Sequence, residues 1–247
     1  AAELQTHVAK HSVWWPVGVP AADLAAALVP LHDTPLGPLA DNLTLRQIGQ
    51  RDRLCEMDFE FPLAGGDLRT RVADIRLADV GRLLARHLPT GDPLAAYVDR
   101  LTDAALGRQP LRGYLSGSVD VVLRVPAGAG HRYVVVDYKT NWLGEPGGEL
   151  TAADYSPARM AEAMLHSDYP LQALLYCVVL HRFLRWRQPG YDPERHLGGV
   201  MYLFVRGMCG PDTPMVDGHP AGVFSWQPPA ALILELSDVL DRGRVAA

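Results

Sequence analysis

The chain has 247 residues, 48% hydrophobic and 21% charged, which suits one large α/β unit or two small ones with a real core. No apolar run approaches the roughly 20 residues that span a bilayer, and the opening AAELQTHVAKHS lacks the basic-then-apolar order of a secretory leader. A cytoplasmic protein, or a fragment of a larger one, is therefore expected. The net charge of −5 argues against a freestanding DNA-coating protein, because such proteins draw their affinity from neutralised phosphates. It does not exclude an enzyme that meets DNA through metal ions or through a partner. Cys55, Cys177 and Cys209 are far apart and odd in number, which fits a reducing compartment and gives neither a disulfide framework nor zinc spacing. They are expected to be small buried or half-buried side chains.

In chain order, residues 1–50 mix helical pattern with proline-punctuated loops, among them TPLGPLADNLTL. Arg53–Phe61 (RLCEMDFEF) alternates as a strand, with Leu54, Glu56, Asp58 and Glu60 on one face and Cys55, Met57, Phe59 and Phe61 on the other. RLADVGRLLARHL and DPLAAYVDRLTDAAL carry apolar residues at three- and four-residue spacing and predict helices. GSVDVVLRV and RYVVVDY are β-branched runs joined by PAGAGH, which predicts a hairpin. The consecutive apolar residues of VVVD suit a strand buried on both faces. ARMAEAMLH and PLQALLYCVVLHRFLRWR predict helices, with Pro170 in the first turn of the second, where its missing N–H costs nothing. GGVMYLFV reads as another apolar strand and ALILELSDVL as an amphipathic closing helix, while GEPGGEL and CGPDTPMVDGHPAG look like surface connections. The order is that of a single α/β domain around a mixed central sheet: a helical and loop part at 1–50, a core at 51–247, no internal repeat.

The chemistry concentrates in GSVDVVLRVPAGAGHRYVVVDYKTNWLG. Asp137 and Lys139 are two apart in a strand, so carboxylate and ammonium share one face. Across the hairpin, Asp120 is placed to approach Asp137. An aspartate in a valine-rich strand needs a partner or a metal. Two carboxylates suit Mg²⁺, a hard cation that acidifies water, and a nearby lysine stabilises phosphate charge. Glu56 is a candidate third oxygen ligand, with Asp58 competing from the same face. Gln172 and Tyr176, four apart on a helix, share one face and suit phosphate or base contact, or tie the helix to the site.

These residues carry a resemblance. GSVDVVLR, VVVDYKTNWLG, YPLQALLYCVVLHRFLR and HLGGVMYLFVRG together closely resemble the C-terminal nuclease domain of the RecB family, within the PD-(D/E)xK superfamily, over roughly Arg53 to the C-terminus. The DYK-x-NWLG and GGVMYLFVRG segments are more specific than the catalytic core. The resemblance implies a restriction-endonuclease-like fold, a mixed sheet flanked by helices, and Mg²⁺-dependent cleavage of single-stranded DNA that Ca²⁺ does not support. It implies Asp120 and Asp137 as metal ligands, Lys139 as the catalytic lysine, Glu56 over Asp58 as the third acidic ligand, and the Tyr138 carbonyl as a further one. Gln172 and Tyr176 match the family's Q-x-x-x-Y motif. RecC, RecD and RecA are the implied partners in a recombination and repair complex. The family's upstream G-T-x-x-H histidine has no counterpart here; His7 and His11 lie outside that context, as if the chain began after the motif. No Walker A sequence is present, so the helicase motor is expected to lie outside this chain. Two other readings stand beside an active nuclease: a non-catalytic module docking RecC or RecA, and a generic metal-dependent hydrolase.

Overall fold

The computed structural model describes residues 2–64 and 75–243. Helices α1 (Ala2–Ser12) and α2 (Ala21–Leu28) pack on each other ahead of the first strand, β1 (Arg53–Pro62). Helices α3 (Leu77–His87) and α4 (Tyr97–Thr102) follow, then the hairpin β2 (Tyr114–Ala127) and β3 (Gly130–Lys139). Helices α5 (Pro157–Leu165), α6 (Tyr169–Arg187) and α7 (Pro193–His196) lead to β4 (Leu197–Phe204). Two short strands, β5 (Met215–Val216) and β6 (His219–Pro220), form a separate ribbon, and β7 (Val223–Trp226) and α8 (Ala230–Arg242) complete the order.

The main sheet has the order β1-β2-β3-β4-β7. Its pairs are antiparallel except β3 with β4, which run parallel because α5 and α6 intervene as a crossover. This mixed five-stranded sheet flanked by helices has the restriction-endonuclease-like architecture. The strands at its centre are buried on both faces, as their apolar runs predict: Val134, Val135 and Val136 are fully buried, and every residue of β4 is buried.

Each face carries its own core. Val135, Val200, Tyr202 and Phe204 meet Leu174, Val178 and Leu180 of α6, together with residues of α3 and α8. On the other face Val134, Val136, Met201 and Leu203 meet Leu36, Ala40, Leu45 and Ile48. The loop-like TPLGPLADNLTL therefore packs on one sheet face with only a 3-10 turn at Pro38–Ala40 and a bridge between Pro35 and Thr44 as regular structure. Burial of each of these leucines stabilises the fold by about 1.5–3 kcal/mol.

Several expectations change. The helix expected over DPLAAYVDRLTDAAL shrinks to Tyr97–Thr102, because aspartates at both ends cap turns. The Asp92 side chain accepts from the Leu94 N–H, and the Asp103 side chain from the Ala105 and Leu106 N–H groups. The segment CGPDTPMVDGHPAG is only partly a surface connection. The Gly210 N–H donates to Thr34 Oγ1 at 2.9 Å, and Gly210, Thr213 and Ala221 are buried. Strand β7 has only four residues, too few for its alternation to register. Of the cysteines only Cys177 is buried; Cys55 and Cys209 are exposed. Cys55 departs from the apolar face because the next residue, Glu56, takes a φ of 50° and interrupts the pleat.

Candidate active site

At the carboxyl end of β3 the pairing with β2 runs out and side chains take over on that side, while pairing with β4 continues to Lys139. Register between β2 and β3 starts at Val121 opposite Val136, so the next step outward sets Asp120 opposite Asp137. There the Asp120 carboxylate accepts the Tyr138 N–H at 3.1 Å, replacing a ladder bond with a charge-assisted one. Asp120 is half-buried and Asp137 only 4% exposed. Asp137 shares its face with Val135 and Lys139, the face covered by α6.

Lys139 is bound on several sides. Its Nζ lies 2.5 Å from Asp137 Oδ2 and donates to Gln172 Oε1 at 3.2 Å. It also stands 4.0 Å from the centre of the Tyr169 ring and 5.0 Å from that of Tyr202. The ion pair is close but poorly aligned, so Asp137 Oδ2 is buried without a directional hydrogen bond. Burial pushes the Asp137 carboxyl above the ordinary aspartate range; Lys139 pulls it back, and the Asp120 charge adds to the rise. A buried oxygen in that condition has spare capacity for a cation.

Gln172 and Tyr176 lie on one face of α6, as their spacing requires. Gln172 Nε2 donates to Tyr176 Oη at 2.9 Å, and Tyr176 Oη donates to the Ser118 carbonyl at 3.0 Å. Gln172 Oε1 also accepts from Tyr202 Oη at 3.0 Å, so one amide joins β4, α6 and the lysine. Burial raises the phenol pKa of Tyr176, with the Asp137 charge adding to it, and burial does the same at Tyr202. Both phenols remain neutral donors at physiological pH.

Tyr202, Tyr169 and the Ser118 carbonyl complete this network and were not singled out from sequence. Tyr202 had a signal: it is the one hydroxyl in the apolar run GGVMYLFV, and a buried tyrosine hydroxyl needs a partner. Tyr169 and Ser118 had none, because their roles arise from packing.

Glu56 is placed in register but is not gathered in. It falls between the pairs Cys55–Val121 and Met57–Val119, opposite Asp120, yet its side chain is exposed. Asp58 pairs with Ser118 and is also exposed. Among the described residues no group of three His, Cys, Asp or Glu side chains is close enough to hold a metal ion. The backbone at Glu56 is held in the left-handed region, which costs a non-glycine residue about 1–3 kcal/mol and is often found where a site is set. The donor set fits a hard cation nonetheless: two carboxylates on adjacent strands, one with an oxygen lacking a directional hydrogen bond, and a third opposite in register. His7 shares a surface depression with Glu3, Leu4, Val29, His32 and Arg46 on the N-terminal part, not with these residues. His11 is exposed near the end of α1.

No protein-family profile matches the chain. Among curated proteins, it is 70% identical over 241 residues to RecBCD enzyme subunit RecB of Mycolicibacterium smegmatis, covering 97% of this chain and 22% of that protein. The same subunit of Mycobacterium tuberculosis is 68% identical over 249 residues, covering 99% of this chain and 22% of its own length. The Escherichia coli subunit is 33% identical over 216 residues, covering 87% of this chain and 15% of its own. The chain thus spans about a fifth of the length of these relatives. With that identity along nearly its whole length, the chain belongs to the RecB family, as the counterpart of one portion of a RecB subunit.

Proposed function

We propose that this chain is a metal-dependent DNA nuclease domain, the C-terminal nuclease part of a RecB subunit, hydrolysing phosphodiester bonds of single-stranded DNA within a RecBCD-type recombination and repair enzyme. The observation that carries the reading is Asp137: a buried carboxylate at the end of a parallel strand pair, opposite Asp120 and against Lys139. Ligands in open α/β sheets gather at the carboxyl ends of such strands.

In this reading Asp120, Asp137, Glu56 and the Tyr138 carbonyl hold Mg²⁺. When bound, the cation supplies Lewis-acid polarisation and a more acidic water. Lys139 contributes a fixed positive charge beside the scissile phosphate, where negative charge grows in the transition state. Gln172 orients that ammonium, and Tyr202 and Tyr176 fix the amide. Preorganisation of this kind avoids reorienting dipoles during reaction. DNA, RecC, RecD and RecA are the partners this reading assigns, in the cytoplasm. No described helix is long and apolar enough to cross a membrane.

The second reading, a non-catalytic module docking RecC or RecA, draws on the net charge of −5 and on Glu56 standing apart from the other carboxylates. One experiment separates them. The purified chain is incubated with single-stranded DNA and Mg²⁺, beside an Asp137→Ala variant and a Ca²⁺ control. Cleavage by the unaltered chain in Mg²⁺ alone is expected. Cleavage that survives Asp137→Ala would reject this site, and loss of both cleavage and Mg²⁺ binding in the unaltered chain would favour the docking module. A generic hydrolase would cut small phosphodiesters as readily as DNA.

A further inference from the structure

The segment after Lys139 is held far more tightly than a surface loop needs to be. The Asn141 carbonyl accepts from Tyr155 Oη at 2.8 Å, and Asn141 Oδ1 accepts from Tyr169 Oη at 3.1 Å. Tyr155 is fully buried, and Tyr169 is the same ring that stands over the Lys139 ammonium. From the turn just after β4, Arg206 Nε donates to the Thr140 carbonyl at 2.9 Å. The chain then doubles back at Gly144, where a Cβ would lie 2.8 Å from Leu150 Cδ1 and 3.4 Å from Trp142 Nε1.

On this anchored turn sits Trp142, with 49% of its surface exposed. Its ring centre is 5.9 Å from the Arg206 guanidinium carbon, and Arg206 is itself exposed. Exposure alone does not set this ring apart, since Trp14, Trp15 and Trp186 are more exposed; its anchored backbone and its place three residues from Lys139 do. Trp142 follows Lys139 by three residues, so it stands at most about 11 Å along the chain from the lysine. That is about three nucleotides of stacked strand at roughly 3.4 Å each. An indole face beside a guanidinium is the arrangement that accepts an unpaired base and its neighbouring phosphate.

We propose that Trp142, flanked by Arg206, is a stacking platform for an unpaired base of the DNA strand. It sets the register in which a phosphate one to three nucleotides away reaches Asp120, Asp137 and Lys139. This rests on the nuclease reading for its purpose but not for its binding test. Stacking on an aromatic face tolerates any base, so the platform selects single strands over duplex rather than one sequence over another.

The test measures binding of this chain to a fluorescently labelled oligodeoxyadenylate by anisotropy in Ca²⁺, and steady-state cleavage of the same strand in Mg²⁺. Trp142→Ala is expected to raise Kd and KM about tenfold, about 1.4 kcal/mol, with kcat within about twofold. Trp142→Phe restores most of the loss and Trp142→Leu does not, which separates stacking from bulk. Arg206→Ala weakens binding and lowers the salt slope by about one. Because Trp142 is half exposed, circular dichroism of the variants serves as the check on folding. The proposal is overturned if Trp142→Ala binds within about twofold of the unaltered chain, if Trp142→Leu equals it, or if the unaltered chain does not bind the strand. Binding that depends on Trp142 with neither cleavage nor Mg²⁺ binding supports the platform while favouring the docking module over the nuclease reading. Normal cleavage with no dependence on Trp142 does the reverse and leaves the indole for a protein partner.

Discussion

Asp137 and Lys139 illustrate why a site is costly to build. Either side chain alone in this pocket would be a buried charge, and burial already pushes the Asp137 carboxyl above its usual range. Together they are tolerated, because the ammonium has a carboxylate, an amide oxygen and two aromatic faces around it. Lys139→Ala is therefore expected to leave Mg²⁺ binding, measured by calorimetry, largely intact and to lower the cleavage rate at least about a hundredfold. An unchanged rate would reject its action on water or phosphate. At this scale much was legible. The i, i+2 spacing of Asp137 and Lys139 and the i, i+4 spacing of Gln172 and Tyr176 are properties of a strand and a helix, and both pairs meet in the structure. The hairpin connection likewise set Asp120 opposite Asp137. Glu56 was harder, since its backbone leaves the pleated conformation, and no alternation rule anticipates a φ of 50° in a strand.

Strand β4 shows how closely the elements approach. Its second and third residues are Gly198 and Gly199, and a Cβ on Gly198 would fall 2.7 Å from Val134 Cγ2 of β3. At Gly199, with φ of 85°, a Cβ would fall 2.3 Å from the Trp226 carbonyl oxygen. No side chain fits there while β4 pairs with both β3 and β7. Gly199→Ala combines left-handed strain with overpacking and is expected to cost about 3 kcal/mol or more. A urea melt checks it, and an unchanged midpoint would mean that β7 does not lie against β4 as described. The apolar run announced β4, but not β7, whose four residues lie between the expected loop and the closing helix and carried no strand signal. The shortened α4 is a related case: the apolar spacing was correct, yet Asp92 and Asp103 side chains captured backbone N–H groups that a longer helix would have used.

Across the whole molecule, elements distant in sequence are joined by a few polar contacts over the cores. Glu235 of α8 meets Arg86 Nη1 at 2.5 Å and His87 Nε2 at 2.6 Å on α3. The His87 hydrogen bond, helped by Arg86, holds the Glu235 carboxyl below the ordinary glutamate range. The folded value is the lower one, so the pair's stabilisation is present above about pH 4.3 and is lost as pH falls through the folded value. Glu235 is 37% exposed, so the contribution is expected to be under about 1 kcal/mol. Glu235→Gln should destabilise at pH 7 by that amount and flatten the fall in unfolding free energy below pH 4.3, read from urea melts at several pH values. Equal slopes in both proteins would show that the pair does not titrate on unfolding.

By itself the sequence determined the strands and helices that carry the site and the face on which each candidate side chain stands. Those depend on periods of two and 3.6 residues, which are local. Only the tertiary structure decided that Tyr202 and Tyr169 enclose the lysine, that an irregular segment covers the second sheet face, and that Glu56 stands apart from the paired aspartates. Those outcomes depend on contacts between residues tens of positions apart, whose geometry is set by packing and backbone strain rather than by spacing along the chain.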